Sequence, residues 1–321
     1  MHDVVAETPQ RWELYRLLSE PIRLRLLAVT AEEELSIGEL VDVLGESQPN
    51  VSRHVSTLKQ AGLVALRREG TRALVSLRDD GDLVVKDAIG TGRSMCESDG
   101  SLKRLGEVIR ARDAIARDYF DAARGREHFN VAVAPEIGAY LAALAPLIDH
   151  KKLAVDAGTG DGALVEVLSP IFDRVVAIDR SEAQLAMARA RCKHRGLQNV
   201  ELVRGELDAP EVKKLVGSKA DVVFAVRMLH HAPKPGAVLA KLADLARPGG
   251  AVVILDYARH DDERMREQAD LWLGFSEPEL KKLARSSGLH DTKISAIPPR
   301  LTGHGPDAHL PWQLMIGRKE K

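Results

Sequence analysis

Apolar positions follow two regimes along the chain. Up to residue 60 they recur every three or four residues, the period of an amphipathic helix. Trp12, Tyr15 and Leu18 mark one such face, and Ile22, Leu26 and Leu27 mark another after Pro21, which a first helical turn tolerates. Ser36 stands where it can cap a helix bearing Leu40, Val43 and Leu44 that Gly45 ends, and Ser47 can cap a second whose first turn holds Pro49. On that second helix Val51, Val55 and Leu58 share one face, which at about 100° per residue turns Ser52, Arg53, Ser56 and Thr57 outward. After Gly62 the run "LVALRREGTRALVSL" alternates apolar and polar residues on both sides of Glu69-Gly70, the period of a β-hairpin. Helix, turn, helix and hairpin together predict a winged helix.

Beyond residue 150 the pattern changes to apolar runs separated by helical stretches. "KLAVDAG", "RVVAID", "VELVRG", "ADVVFAV" and "GAVVILDY" read as strands, with "ALVEVLSPI", "SEAQLAMARARCKHRG" and "AVLAKLADLA" as helices among them. Such alternation predicts an open parallel sheet with helices on both faces. A helix, "SEPELKKLARSSG", and two candidate strands, "TKISAIP" and "PWQLMIGR", follow. The expected class is therefore α/β: a winged helix-turn-helix domain over 1–90, a helical connector over 91–130, and a doubly wound Rossmann-like domain over 131–321. Within the connector, "TGRSMCESDGS" reads as a flexible link or turn. The stripe of Leu102, Leu105, Val108 or Ile109, Ile115 and Tyr119 suits either a dimer seam or packing on the next domain, and the Tyr119-Phe120 pair suits a core more than closure over a cofactor.

The 321 residues carry a formal net charge of −1, with 45% hydrophobic and 29% charged residues, which fits two globular domains. Two cysteines, Cys96 and Cys192, and the lack of an apolar run of about 18 residues argue against a disulfide scaffold, a membrane span and secretion, so a cytoplasmic protein is expected. Charge is uneven, however. Between residues 50 and 78 Arg53, Lys59, Arg67, Arg68, Arg72 and Arg78 face Glu69 alone, a stripe suited to tracking phosphates. Gln48, Asn50, Ser52, Arg53 and Ser56 are the candidates for reading base edges, and Arg68 and Arg72 at the hairpin tip for phosphate or minor-groove contacts.

Residues 11–80 resemble the ArsR/SmtB winged-helix repressors, above all in "SQPNVSRHVSTLKQAGLV". The resemblance implies a double-stranded DNA operator and a homodimer. It does not carry over the metal site of those repressors: where they often have "ELCVCDL" this chain has "ELSIGEL", with Ser36 and Gly38 at the cysteine positions. Residues 81–90 supply Asp82, Lys86 and Asp87 but no histidine, so no metal is expected.

"VDAGTGDG", residues 155–162, begins where a parallel strand ends, the edge at which ligands bind in doubly wound sheets. Its glycines permit close approach of a ligand to the backbone, and "GTGDGA" also satisfies the dinucleotide pattern G-x-G-x-x-A. Two acids favour S-adenosylmethionine over a nicotinamide. Asp179, ending the next strand, can accept ribose hydroxyls in either cofactor, whereas Asp156 would crowd a pyrophosphate and suits a cationic aminoacyl group.

Residues 131–321 resemble the class I methyltransferases through "VDAGTGDG", "VVAIDRS", "VRGELD", "ADVVFAVRMLHHAP" and "LARPGGAVVILDY", in that order. The resemblance implies S-adenosylmethionine or S-adenosylhomocysteine as cofactor. It places Asp156, Gly158 and Gly160 at the methionine moiety and loop, Asp179 at the ribose, Glu206 and Leu207 at the adenine, and Arg180 and Val226 in the same cradle. The family often has Asp where Glu206 stands. No catalytic residue is assigned; Arg227, His230, His231, Asp256 and Tyr257 surround the acceptor side, and His231 is the candidate base.

The segment "LDYARHDDERMREQADLWLGFSEPEL" resembles one found in proteins that fuse an ArsR-type winged helix to a methyltransferase-like domain, with His260, Glu263, Arg266 and Glu267 matching and a salt-bridged lid as the expected role. Some proteins of that architecture regulate the methionine cycle. The expectation is a dimeric DNA-binding regulator that senses the cofactor, the alternative an active small-molecule methyltransferase carrying a DNA-binding domain. The loop after the fourth strand lacks a "DPPY" or "NPPF" platform, which disfavours a DNA methyltransferase.

Overall fold

The computed structural model describes residues 11–78, 81–122, 143–217, 219–299 and 307–320, and the chain divides into two compact units, Met1–Arg112 and Asp113–Lys321. The first unit contains α1 (Arg11–Leu18), α2 (Pro21–Glu32), a two-residue strand β1 (Leu35–Ser36), α3 (Ile37–Leu44), α4 (Gln48–Gln60), the hairpin β2 (Val64–Glu69) and β3 (Arg72–Leu77), α5 (Leu83–Ser98) and the first half of α6 (Ser101–Ala122). Capping sets the ends of α3. Ser36 and Glu39 form a reciprocal capping box, and Gly45 closes the helix in the left-handed conformation at φ 67°. At α4 the entry residue is Ser47, as expected, but its side chain makes no capping bond; Pro49 alone marks the first turn.

The core takes Leu26, Leu27, Leu40, Val43, Val51, Val55 and Leu58, the apolar faces expected of α2 to α4. On α1 the periodicity misleads. Leu14 and Leu18 enter the core, while Trp12 and Tyr15 remain 57% and 59% exposed. A larger correction concerns residues 91–101, expected as a flexible link. They continue α5 to Ser98, and only Asp99 and Gly100 turn the chain. Their small side chains serve close packing on α2: a Cβ built on Gly92 would stand 2.0 Å from the carbonyl oxygen of Leu24, and Cys96 is buried in the same seam. The connector residues 123–130, the stretch 131–142 and the ring of Phe120 lie outside the described residues.

The second unit is built on a seven-stranded sheet in the order β6-β5-β4-β7-β8-β10-β9, from β4 (Leu153–Ala157), β5 (Arg174–Asp179), β6 (Val200–Arg204), β7 (Ala220–Val226), β8 (Ala246–Tyr257), β9 (Leu289–Ile297) and β10 (Trp312–Lys319). Strands β4 to β8 pair in parallel, as the alternation predicts, whereas β10 runs antiparallel to both β8 and β9. Helices α7 (Val165–Leu168), α8 (Glu182–Arg195), α9 (Pro210–Leu215), α10 (Pro235–Leu245) and α11 (Glu277–Ser286) complete it. The expected helix "ALVEVLSPI" is thus reduced to a single turn. Strand β4 lies at the reversal of strand order, so its carboxyl end opens at the switch point of the sheet.

The Gly92 seam is directly testable. Gly92→Ala should destabilise the chain by about 1–3 kcal/mol, because a methyl group against a main-chain carbonyl forces the two helices apart. Gly90→Ala, where a Cβ meets nothing within 4 Å, should be neutral or stabilising by up to about 1 kcal/mol. Thermal melts of both variants measure the difference.

Candidate cofactor site and nucleic-acid face

In the first unit, α4 leaves Gln48, Ser52, Arg53 and Ser56 exposed and Asn50 half-buried, opposite the buried face of Val51, Val55 and Leu58. Arg53 Nη2 donates to Asn50 Oδ1 at 2.7 Å, and Asn50 Nδ2 donates to Glu46 Oε2 at 3.0 Å, so two of the candidate base-reading groups are linked to each other and to Glu46. Beneath them His54 is buried and accepts from Arg23 Nε at 3.2 Å. Burial and the adjacent Arg23 and Arg53 charges push its pKa down, which keeps the imidazole neutral near pH 7. Nothing in the sequence pattern singled out His54. Arg68 and Arg72 are exposed at the hairpin tip.

The basic stripe is narrower than its residue count. Arg67 makes two 2.7 Å bonds to Glu34 and one of 3.1 Å to Glu69, so Arg67 and Glu69 neutralise each other inside the fold. Arg53, Lys59, Arg68, Arg72 and Arg78 remain as exposed cations.

In the second unit, Asp156, one residue before the end of β4, is almost completely buried, and Thr159 Oγ1 donates to its Oδ2 at 2.6 Å. Desolvation, only partly offset by that bond, pushes the Asp156 pKa up to about 7. The following loop turns through Gly158, Gly160 and Gly162 at φ 69°, 55° and 81°. Two of these positions also have no room for a side chain: a Cβ at Gly158 would meet Met228, and one at Gly162 would lie 2.9 Å from the Cβ of Ala188. Asp179, at the end of β5, accepts from Gly160 N and Ser181 N, each at 2.8 Å. Burial raises its pKa while these backbone donors oppose the rise.

Around this frame Arg180 pairs with Asp113 at 2.5 Å and lies 3.7 Å from the exposed Glu206, Leu207 is buried, and Val226 ends β7. The donor set suits the expected cofactor. Gly160 leaves open space beside the loop, with no heavy atom nearer than 3.7 Å to a built Cβ; Asp156 and Asp179 lie at the carboxyl ends of adjacent strands; and Leu207 offers an apolar surface next to the Glu206 carboxylate. When bound, S-adenosylmethionine would supply an electrophilic methyl group; Asp156 would meet its cationic aminoacyl end and Asp179 its ribose hydroxyls.

A second polar group sits after β7. His230 Nδ1 donates to Asp256 Oδ1 at 2.7 Å, and Asp256 Oδ2 also accepts from Leu229 N at 2.9 Å. The His230 ring stacks on Tyr257 with centroids 4.2 Å apart. Burial disfavours its charge, but the flanking Asp256 and Asp270 carboxylates outweigh burial and raise its pKa. Burial and the neighbouring His230 push His231 well below the ordinary range instead. Asp270 is raised to about 7, chiefly by burial. Arg227, left-handed at φ 56°, pairs with Asp307, which also accepts from Tyr257 Oη at 3.0 Å.

Asp270 and Asp307 were not among the sequence candidates; both lie dozens of residues from β7 and come to it only through the fold. In the segment expected as a salt-bridged lid, an ion pair and main-chain bonds hold the residues around Asp270. Arg266 pairs with Glu263 at 3.3 Å and donates to the carbonyls of Asp270 and Leu271, while Leu271 N and Trp272 N donate to the carbonyl of His230. His260 accepts from Asp262 N at 3.2 Å.

Comparison with known proteins agrees with this division. Residues 18–67 match the helix-turn-helix domain family and residues 155–254 the methyltransferase domain family. A ubiquinone biosynthesis O-methyltransferase of Aeromonas salmonicida is 32% identical over 159 residues, covering 50% of this chain and 63% of that protein. The HTH-type transcriptional regulator KmtR of Mycobacterium tuberculosis is 35% identical over 68 residues, 21% of this chain and 52% of that one. Each match therefore spans less than two thirds of the relative's own length. Among solved structures, a 1,6-didemethyltoxoflavin-N1-methyltransferase of Burkholderia thailandensis superposes with a TM-score of 0.47 at 23% identity, over 65% of this chain and 88% of that one. The chain thus carries a helix-turn-helix domain within its first unit and a methyltransferase domain within its second.

Proposed function

We propose that the chain is a DNA-binding transcriptional regulator whose methyltransferase domain binds S-adenosylmethionine or S-adenosylhomocysteine as effector. One observation carries this reading: the same chain holds an exposed recognition face, with Gln48, Ser52, Arg53 and Ser56 on α4 and Arg68 and Arg72 at the wing, and a cradle framed by Asp156, Gly160 and Asp179. The thiolate positions of metal-sensing repressors are Ser36 and Gly38, and both serve other ends. Ser36 caps α3 and Gly38 lies within it, so neither position offers a thiolate to a metal effector. A homodimer on a double-stranded operator follows from the ArsR type. Among the described residues no helix is long and apolar enough to cross a membrane.

A second reading, an active small-molecule methyltransferase, is supported by the likeness to the ubiquinone biosynthesis O-methyltransferase and by the buried His230 and Asp270 with the half-buried His231 on the acceptor side. Transfer of a labelled methyl group to a metabolite extract separates the two: turnover supports the enzyme, and its absence beside tight cofactor binding supports the sensor.

Calorimetric titration with S-adenosylmethionine, S-adenosylhomocysteine and NAD tests the cradle itself. The first two should bind and the last should not. Asp179→Ala should weaken binding at least tenfold while the chain stays folded; unchanged affinity would refute the ribose assignment.

Asp156 makes binding pH-dependent. With a folded pKa of about 7, the carboxyl loses its charge as the pH falls through 7, and with it the attraction for the cationic aminoacyl group. Affinity should therefore fall between pH 8 and 6, towards tenfold per unit at the acid end, and Asp156→Asn should bind weakly at every pH. Stability runs the other way. Because the folded pKa lies above the unfolded value, the buried acid's contribution is intact below about pH 4 and is lost as the pH rises through 7. The ligand-free Asp156→Asn chain should thus melt higher than wild type at pH 8.

On DNA, Arg53→Ala should reduce discrimination between operator and random sequence. Arg68→Ala and Arg72→Ala should weaken binding to both by similar factors and lower the salt slope by about one each. Fluorescence anisotropy at several salt concentrations reads both effects.

A further inference from the structure

The cluster after β7 has a feature that neither cofactor nor DNA binding explains. Asp270 is buried to 1% side-chain exposure, yet neither of its carboxylate oxygens has a hydrogen-bond donor among the described residues. An ionised carboxylate in that state costs several kcal/mol unless a cation stands beside it. Arg227 is engaged with Asp307, and Arg266 reaches main-chain carbonyls. What Asp270 faces is His230 Nε2 and His231 Nδ1, each 3.6 Å from its Oδ1.

That distance is informative. It is too long for a hydrogen bond, which for nitrogen and oxygen closes to about 2.7–3.2 Å, so the groups are not joined by a shared proton. It equals the edge of a small coordination polyhedron: ligands about 2.0–2.2 Å from a tetrahedral ion stand roughly 3.3–3.6 Å apart. One ligand atom from each of His230, His231 and Asp270 lies within 4.8 Å of the others. We propose that His230, His231 and Asp270 form a binding site for a divalent transition-metal ion, with the two imidazoles and one carboxylate as ligands.

The surroundings support it. Asp256 Oδ1 accepts from His230 Nδ1, which leaves Nε2 as the lone-pair nitrogen directed at Asp270, the carboxylate–histidine–metal arrangement that orients a ligand imidazole. Asp256 is in turn fixed by the backbone N–H of Leu229. Asp270 is held from its own side by Ala269, which adopts φ 63°, a conformation costly for a residue with a Cβ. In the metal-free chain His231 Nδ1 donates to the carbonyl of Ala269 at 3.1 Å; as a ligand it carries its proton on Nε2, and the bond to Ala269 is exchanged for one to the ion.

Mixed imidazole and carboxylate ligands favour Zn²⁺, Co²⁺ or Mn²⁺ over Mg²⁺. Three protein ligands leave room for an oxygen donor in the coordination sphere. The site lies at the carboxyl end of β7, on the edge where Met228 packs against Gly158 of the cofactor loop, so that donor would stand on the acceptor side. The proposal goes beyond the effector reading and does not depend on it, because metal binding is measured without cofactor or DNA.

The test uses the full chain freed of any affinity tag, stripped with a chelator and titrated calorimetrically with Zn²⁺, Co²⁺, Mn²⁺ and Mg²⁺. The Co²⁺ form is also read by visible absorption. Wild type should take up one Zn²⁺ or Co²⁺ per chain, and the Co²⁺ form should show the bands of a four- or five-coordinate site. Asp270→Asn and His231→Gln should each weaken binding at least tenfold. Asp270→Asn also removes a buried charge that lacks donors, so its metal-free form should melt no lower than wild type, which separates lost ligation from lost folding. Equal binding by wild type and both variants, less than one ion per chain, or saturation by Mg²⁺ alone would overturn the proposal.

Discussion

The carboxylate of Asp179 joins the ends of two neighbouring strands, and the cofactor cradle depends on that junction. One oxygen takes the backbone N–H of Gly160 from the loop after β4; the other takes that of Ser181, the residue that opens α8. The loop is thereby tied to the next strand rather than left to its own glycines, whose freedom alone would allow many shapes. A half-buried carboxylate with two backbone donors keeps lone pairs for hydroxyl groups, so the group that shapes the loop is the one that would receive a ribose. Parallel pairing of β4 with β5 fixes this geometry, because Asp156 and Asp179 then emerge at the same edge of the sheet.

Local chemistry in the sequence marked much of this frame. Ser36 and Gly45 bound α3 because a hydroxyl and a left-handed glycine do so wherever they occur; Val51, Val55 and Leu58 bury the inner face of α4; and Asp156, Asp179 and the three glycines all come from contiguous stretches. What escaped was set by tertiary contact. The small residues around Gly92 look like a linker in one dimension and prove to be a helix face admitting the carbonyl of Leu24. Arg67 counts as a surface cation until Glu34, 33 residues away, neutralises it. Asp270 and Asp307 carry no local signature, since their partners His230 and Arg227 are reached only when the β8–β10 side of the sheet closes on the loop after β7. The antiparallel entry of β10 belongs with these, because strand direction is not encoded in an apolar run.

Burial acts in the same sense on two acids of the second unit. At Asp156 it raises the carboxyl pKa to about 7, poising the group to ionise when a cation arrives. Around His230 two carboxylates and two imidazoles share a buried space, with Asp256 satisfied by the backbone and Asp270 not. Both arrangements cost the ligand-free chain stability, and a bound positive charge would relieve that cost. The first unit shows the complement. Its partly buried ionic groups, Arg67 with Glu34 and Arg112 with Glu39, are paired, and exposed cations of α4 and the hairpin line the face that would meet phosphate.

The central claim is that cofactor state is reported to DNA, which requires the ligand to prefer one of two DNA-binding states. The most direct measurement is operator affinity at fixed salt, with and without saturating S-adenosylmethionine or S-adenosylhomocysteine. The account predicts that at least one of them changes the affinity by about 5- to 150-fold, a coupling of roughly 1–3 kcal/mol, and that operator DNA changes that ligand's affinity by the same factor. Equal operator affinity under all three conditions would contradict it.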